Sequence, residues 1–350
     1  VDITSIVRRL GVVAAIVALA WPLAGCYGLQ AAAGELTLLA RRRPVAVVIA
    51  DRATPPALRA RLVRVAAMRD FASHELGLPD NASYRGYVDV GREAVVWNVF
   101  AAAEFSVEPR RWCFPVVGCV EYRGYFSAAR AQRYAAALHR QGDDVVVRGA
   151  AAYSTLGFFA DPVLSTMLRW SDAELAGIMF HELTHQLVYV PGDAPFNEAL
   201  ANLVEQEGVR RWLGAQGRAE ELAAWQRSRE REVAVSGLFL DARRRLAALY
   251  VPGADPAALR AAKARVFDDV RAAYRQLRAA WGGYAGYDAT FAADLNNATL
   301  VPVATYEGCL PGLRREFEAL HGDLPAFYAR TRALAAMPAA ARAARVCTGA

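Results

Sequence analysis

The stretch His181-Glu182-Leu183-Thr184-His185, followed by Asn197-Glu198-Ala199, constrains this chain more than any other. Two histidines four residues apart share a face in an α-helix, so the pattern asks for a helix and for a second segment facing it. From that face both imidazoles can converge on one zinc ion, with Glu182 beside them as general base. A catalytic zinc keeps three protein ligands and one open position, and Glu198 is the expected third ligand. The neighbouring residues agree. Ser171-Asp172-Ala173-Glu174 is a capping box, and Leu175, Ile178, Met179, Leu183 and Leu187 make a core-facing stripe. Pro191-Gly192-Asp193 ends that helix, and Pro195 fits the first turn of a second one. A loop this short returns the second helix antiparallel, so that Glu198 faces the histidines.

Near the start, Arg8 and Arg9 precede an apolar run over residues 10–23, short for a permanent membrane span and suited to the apolar part of a signal peptide. Leu23-Ala24-Gly25-Cys26 closes the run as a bacterial lipobox, which makes residues 1–25 a lipoprotein signal peptide and Cys26 the lipidation site. A plain secretory signal and an uncleaved anchor are the alternatives. Several acyl chains on one residue hold a protein stably on a membrane. Tyr27 stands after the cysteine where Asp would signal retention, so the expected location is the cell envelope, lipid-anchored in the outer membrane and facing the periplasm. Using Cys26 for lipid leaves Cys113, Cys119, Cys309 and Cys347 of the five cysteines. They can pair in three ways. Cys113 with Cys119 and Cys309 with Cys347 is the simplest scheme in an oxidising compartment, and buried free thiols are the alternative.

The formal charge of +6 comes from arginine, since Lys263 is the only lysine. No basic stripe interleaved with aromatics appears, so no nucleic-acid partner is expected. No sequence feature names a protein partner. Helices are expected over residues 29–43 and 55–76, then strands over 84–90, 94–100, 116–125 and 145–147 with a helix over 128–140 before the last. Ala152, Tyr153, Ser154, Thr155 and Leu156 are the candidate edge strand on which an extended peptide substrate would pair. After Glu198 the chain reads as helical. Residues 219–250 and 256–281 form a long hairpin, and further helices fall near 290–300, 311–320 and 324–336. This order is α+β, with a mixed part over 26–160 and the zinc-site helices and helical C-terminal part over 161–350.

Zinc held by His181, His185 and Glu198 implies peptide-bond hydrolysis with Glu182 carrying the proton. The oxyanion needs a further neutral donor, for which Tyr306 and Tyr153 are the candidates. The chain resembles the "putative aminopeptidase" family of bacterial lipoproteins, a gluzincin-type group. The resemblance runs through Arg69-Asp70-Phe71-Ala72-Ser73, Leu78-Pro79-Asp80-Asn81, Trp112-Cys113-Phe114-Pro115, Tyr122-Arg123-Gly124-Tyr125-Phe126, Tyr153-Ser154-Thr155-Leu156-Gly157, the 181–186 stretch and Phe196-Asn197-Glu198. It implies one zinc ion and removal of residues from the N-terminus of a peptide. Gluzincins place an Asp four residues after the ligand Glu. Asn202 stands there in this chain, and Glu205, one turn further, is the alternative group for orienting a histidine. An endopeptidase acting on envelope proteins or peptidoglycan peptides, and a scaffold lipoprotein with structural zinc and the hairpin as docking arm, are the competing expectations.

Overall fold

The computed structural model describes residues 30, 33–34, 36–114, 118–155, 159–303 and 308–347. The lipobox with Cys26, Leu156 of the expected edge strand and Tyr306 lie outside the described residues.

The chain is α+β, with small sheets in its first half and helices in its second. In order, strand β1 (Arg43–Pro44), helix α1 (Val45–Ala50), helix α2 (Pro56–His74) and strand β2 (Gly86–Val88) come first. Strands β3 (Val96–Ala103), β4 (Trp112–Phe114), β5 (Gly118–Val120) and β6 (Arg123–Tyr125), helix α3 (Ala128–Arg140) and strand β7 (Asp143–Ala150) follow. Strand β8 (Val163–Leu164) leads into helices α4 (Asp172–Leu187) and α5 (Ala194–Ala215). Helices α6 (Ala219–Leu249) and α7 (Pro256–Ala280) make the hairpin. A short helix α8 (Asp288–Ala292), a 3-10 segment (Asn297–Val303) and helices α9 (Leu310–Ala319), α10 (Leu324–Ala335) and α11 (Ala339–Val346) complete it.

Several expectations are corrected. The expected helix over 29–43 stops short of its bound: among the described residues its helical backbone ends at residue 40, and Pro44, the expected stop, lies in β1 and caps α1, where its fixed φ suits a helix start. The expected strand over 116–125 is two strands, β5 and β6, because they pair with different partners: β5 with β4, Cys113 opposite Cys119, and β6 with β3. The expected helix over 290–300 is α8 plus a 3-10 segment, since Asn296 accepts from the Ala298 N–H through its own side chain and Pro302 interrupts. Ala152, Tyr153, Ser154 and Thr155 carry no strand pairing, for Asp161 takes both the backbone N–H and the hydroxyl of Thr155. The Cys113–Cys119 and Cys309–Cys347 disulfides are both present.

Three packed layers position the site. β2 lies between β1, antiparallel, and β8, parallel. β3 lies between β6 and β7, both antiparallel, and α3 covers one face of that sheet with Ala131, Ala135 and Leu138 against Val99, Ala101 and Tyr125. The main core joins Val65 and Met68 of α2 to Leu175, Met179 and Leu183 of α4, Phe196, Leu200 and Leu203 of α5, Leu313 of α9 and Phe327 of α10. The hairpin has its own core of Val235, Phe239, Leu246, Val266, Phe267 and Val270. One of its ties to the sheet is Lys263, whose Nζ donates to Asp144 Oδ2 at 2.5 Å and to the Glu104 carbonyl at 3.0 Å; Arg260 donates to the Glu104 carboxylate beside it. No helix among the described residues is long and apolar enough to cross a membrane.

Candidate metal centre

The histidine helix begins as its sequence asks. Ser171 accepts from the Glu174 N–H at 3.2 Å and Glu174 accepts from the Ser171 N–H at 2.7 Å, closing the capping box. Asp172 in the first turn is ringed by Arg61, Arg64 and Arg218, a carboxylate where the helix dipole favours one. Leu175, Met179 and Leu183 are fully buried, which fixes the rotation of α4 and turns His181 and His185 toward α5.

Asn197 sets the approach of α5. Its amide accepts from the Val190 N–H and donates to the Val190 carbonyl, both at 2.8 Å. That two-point clamp closes the connection between the helices, and Asp193 caps α5 by accepting from Phe196 N–H at 3.2 Å. Glu198, the next residue, then faces the histidines. Close packing does the rest: a Cβ on Gly208 would lie 2.5 Å from the Phe180 ring, and one on Gly177 would lie 3.2 Å from Glu205 Cγ and Oε1. The two helices touch where these side chains are missing.

His181, His185 and Glu198 each offer one ligand atom within 4.8 Å of the others, and together they can hold a metal ion. His181 Nε2 and His185 Nε2 are 3.2 Å apart; Glu198 oxygens stand 3.3 Å from His181 Nε2 and 3.6 Å from His185 Nε2. Donors about 2.0–2.1 Å from one tetrahedral zinc are separated by about 3.3–3.4 Å. The spacing fits, and two imidazoles with one carboxylate suit zinc in chemical type.

Glu205, not Asn202, orients a histidine. Glu205 Oε2 is 3.2 Å from His181 Nδ1, which assigns the proton to Nδ1 and leaves the Nε2 lone pair for a ligand. Asn202 is buried on α5, and among the described residues it is hydrogen-bonded to neither histidine. His185 Nδ1 is buried without a partner among the described residues. Without metal the ring charges diverge. Burial opposes charge on His181, yet its bonds to Glu198 and Glu205 carry its pKa up to about 10. Burial and the neighbouring His181 push His185 down to about 4. The same histidines hold Glu198 below the usual carboxylate range against its burial.

Glu182 lies beside this cluster with its pKa raised, chiefly by burial. The Ser154 hydroxyl is within reach of it and also stands 3.3 Å from Asp161 Oδ2, so it can donate its one proton to either carboxylate. Thr155 donates to Asp161 through its hydroxyl at 2.7 Å and its N–H at 3.1 Å. The described part of the expected substrate segment, residues 152–155, is therefore a pinned loop beside Glu182. Tyr153 packs into the main core with its ring edge-on to Phe126.

Sequence reasoning missed three tyrosines here. Tyr122, half exposed, has its phenol pKa raised by burial and by the charges of Glu182 and Glu198. Tyr189 sets its ring edge-on to His185, with centroids 6.1 Å apart. Tyr84, buried at a left-handed φ of 61°, is raised by burial and by Glu182. The signal for Tyr122 was present, since it opens the Tyr-Arg-Gly-Tyr-Phe stretch.

The His-His-Glu donor set could hold a metal ion, and the buried Glu182 carboxylate lies beside it. The chain belongs to the family described as "Putative aminopeptidase", whose profile matches residues 26–346. None of the curated proteins and none of the solved structures matches it.

Proposed function

We propose that the protein is a zinc-dependent peptidase that removes residues from the N-terminus of peptides, held by lipid on Cys26 at the periplasmic face of the outer membrane of a bacterium. The observation that carries the zinc reading is the 3.2–3.6 Å spacing of the His181, His185 and Glu198 donors with Glu182 beside them. Membership of the aminopeptidase family supports the peptide substrate. The two disulfides support an oxidising compartment.

A zinc ion held there supplies Lewis acidity, making water easier to deprotonate and a carbonyl easier to attack. Glu182 takes the proton of the attacking water and passes it to the leaving amine nitrogen. Its raised pKa lets it hold that proton between the two steps. Glu205 fixes the ring of His181. Tyr122, kept neutral by burial and the nearby carboxylates, would supply its hydroxyl as the donor to the oxyanion.

The test is turnover of a mixed peptide library by the zinc-loaded protein in detergent, beside Glu182→Gln. Release of N-terminal residues by the parent, with a variant that binds zinc and is inert, is the expected result. Equal cleavage of N-acetylated peptides would remove the N-terminal specificity, and zinc binding without any cleavage would remove the peptidase reading.

A further inference from the structure

We infer that Arg148 on β7, with Asn98 beside it, is a carboxylate-binding subsite for the peptide substrate. This deepens the peptidase reading and rests on it.

Strand register places the two side chains together. In the antiparallel β3–β7 pair Asn98 lies opposite Arg148 and Phe100 opposite Val146, and directly opposed residues share a face. The alternate residues Val99, Ala101, Val145 and Val147 pack under α3, so Asn98, Phe100, Val146 and Arg148 occupy the other face. That face borders the metal centre. The Phe100 ring lies 5.7 Å from the ring of Tyr122, whose phenol feels Glu182 and Glu198. At its far end β7 runs into the loop that sets Ser154 on Glu182.

Among the described residues, the Arg148 guanidinium and Asn98 Oδ1 on this face lack hydrogen-bond partners. Arg148 is partly buried, and burial alone lowers its pKa, yet among the described residues it makes no hydrogen bond and no ion pair. Asn98 Oδ1 is buried and unpaired as well. Other arginines withdrawn from water are paired: Arg218, also partly buried, with Asp172, and the more deeply buried Arg342 with Asp193. Withdrawing a guanidinium from water without an anion is unfavourable, and so is an unpaired buried amide. A guanidinium matches a carboxylate in two parallel hydrogen bonds, and Asn98 Oδ1, an acceptor, is left to take a peptide N–H of the same ligand. The ligand chemistry that meets the site is thus a peptide carboxylate, either the free C-terminus or an Asp or Glu side chain.

The probe is calorimetric binding of short peptides to the zinc-loaded Glu182→Gln protein, with and without Arg148→Gln. Tetra-alanine as free acid or C-terminal amide forms one arm; an amidated peptide carrying Glu or Gln forms the other. The acid member of at least one arm is expected to bind at least tenfold more tightly, and that arm identifies the source of the carboxylate. Arg148→Gln should abolish the preference, and Arg148→Lys should keep part of it. Because Arg148 holds nothing else in place, Arg148→Gln should leave the melting temperature unchanged or raised. Equal binding of acid and amide in both arms, equal weakening of both by Arg148→Gln, no binding at all, or a lowered melting temperature would each overturn the inference. Binding with the acid preference but no cleavage by the parent protein would sink only the peptidase reading.

Discussion

Gly177→Ala tests how His181 is held. A methyl at that position would lie 3.2 Å from both Cγ and Oε1 of Glu205, tighter than ordinary contact, so Glu205 must withdraw by a few tenths of an ångström. Its bond to His181 Nδ1 is already 3.2 Å, the long end of the N–H···O range, and the withdrawal breaks it. A charge-assisted hydrogen bond contributes about 1.5–3 kcal/mol. Alanine in place of glycine inside a helix returns about 0.8–1 kcal/mol. The metal-free variant should therefore lose about 0.5–2 kcal/mol at neutral pH, read by urea unfolding in EDTA. Loss of a group that orients a ligand typically weakens metal affinity about 10–100-fold, read by competition against a fluorescent chelator. Glu205→Gln should weaken affinity similarly without crowding. Unchanged affinity with stability raised by about 1 kcal/mol would refute the reasoning, for it would mean that Glu205 has room.

Glu182→Gln should retain one metal ion per chain by elemental analysis while kcat falls about 10²–10⁴-fold. Asn197→Ala removes both bonds to Val190 and leaves a backbone donor and acceptor unpaired, a loss of about 2–3 kcal/mol in urea unfolding, whereas a surface asparagine would lose almost nothing. His181 keeps its proton up to about 10, above its ordinary 6.5. In the metal-free protein the stabilisation from that shift is complete below 6.5 and disappears as the pH rises through 10. Metal must displace the same proton, so affinity should rise about tenfold per pH unit below that point, with matching proton release in calorimetry across several buffers. Replacing Cys309 and Cys347 by alanine opens a loop with a sequence separation of 38 and should destabilise by about 4 kcal/mol; replacing Cys113 and Cys119, separated by 6, should destabilise by about 2 kcal/mol.

What was legible in the sequence was what local rules decide. The capping box, the stripe on α4, Pro195 in the first turn of α5 and the 128–140 helix follow from propensity and short-range bonds, and the structure has them in place. Glu198 could be chosen because a short loop leaves the next helix little freedom. The role of Asn197 could not, since its partner is a backbone group visible only once the loop has closed. Of the strand expected at 152–156, the described residues 152–155 carry none for a similar reason: Asp161, downstream, captures groups of Thr155 that a ladder would have used. Tyr122 and Arg148 acquire their surroundings from strand register, which periodicity does not set across separate segments. The helix α11 went unexpected because Ala-Ala-Ala-Arg-Ala-Ala-Arg-Val shows too narrow an apolar stripe, and it is held by Cys347 and by Val346 under α9.

Lys263 is the only lysine in the chain, and its amine is locked between Asp144 and the Glu104 carbonyl where α7 meets the sheet. The folded protein thus presents almost no reactive ε-amine, although its surface is rich in positive charge. An amine-directed acylating reagent, or a protease that cuts after lysine, gains its side-chain target only when the hairpin lifts away. Chemical labelling at that one atom would count hairpin openings directly, separately from any event at the metal centre.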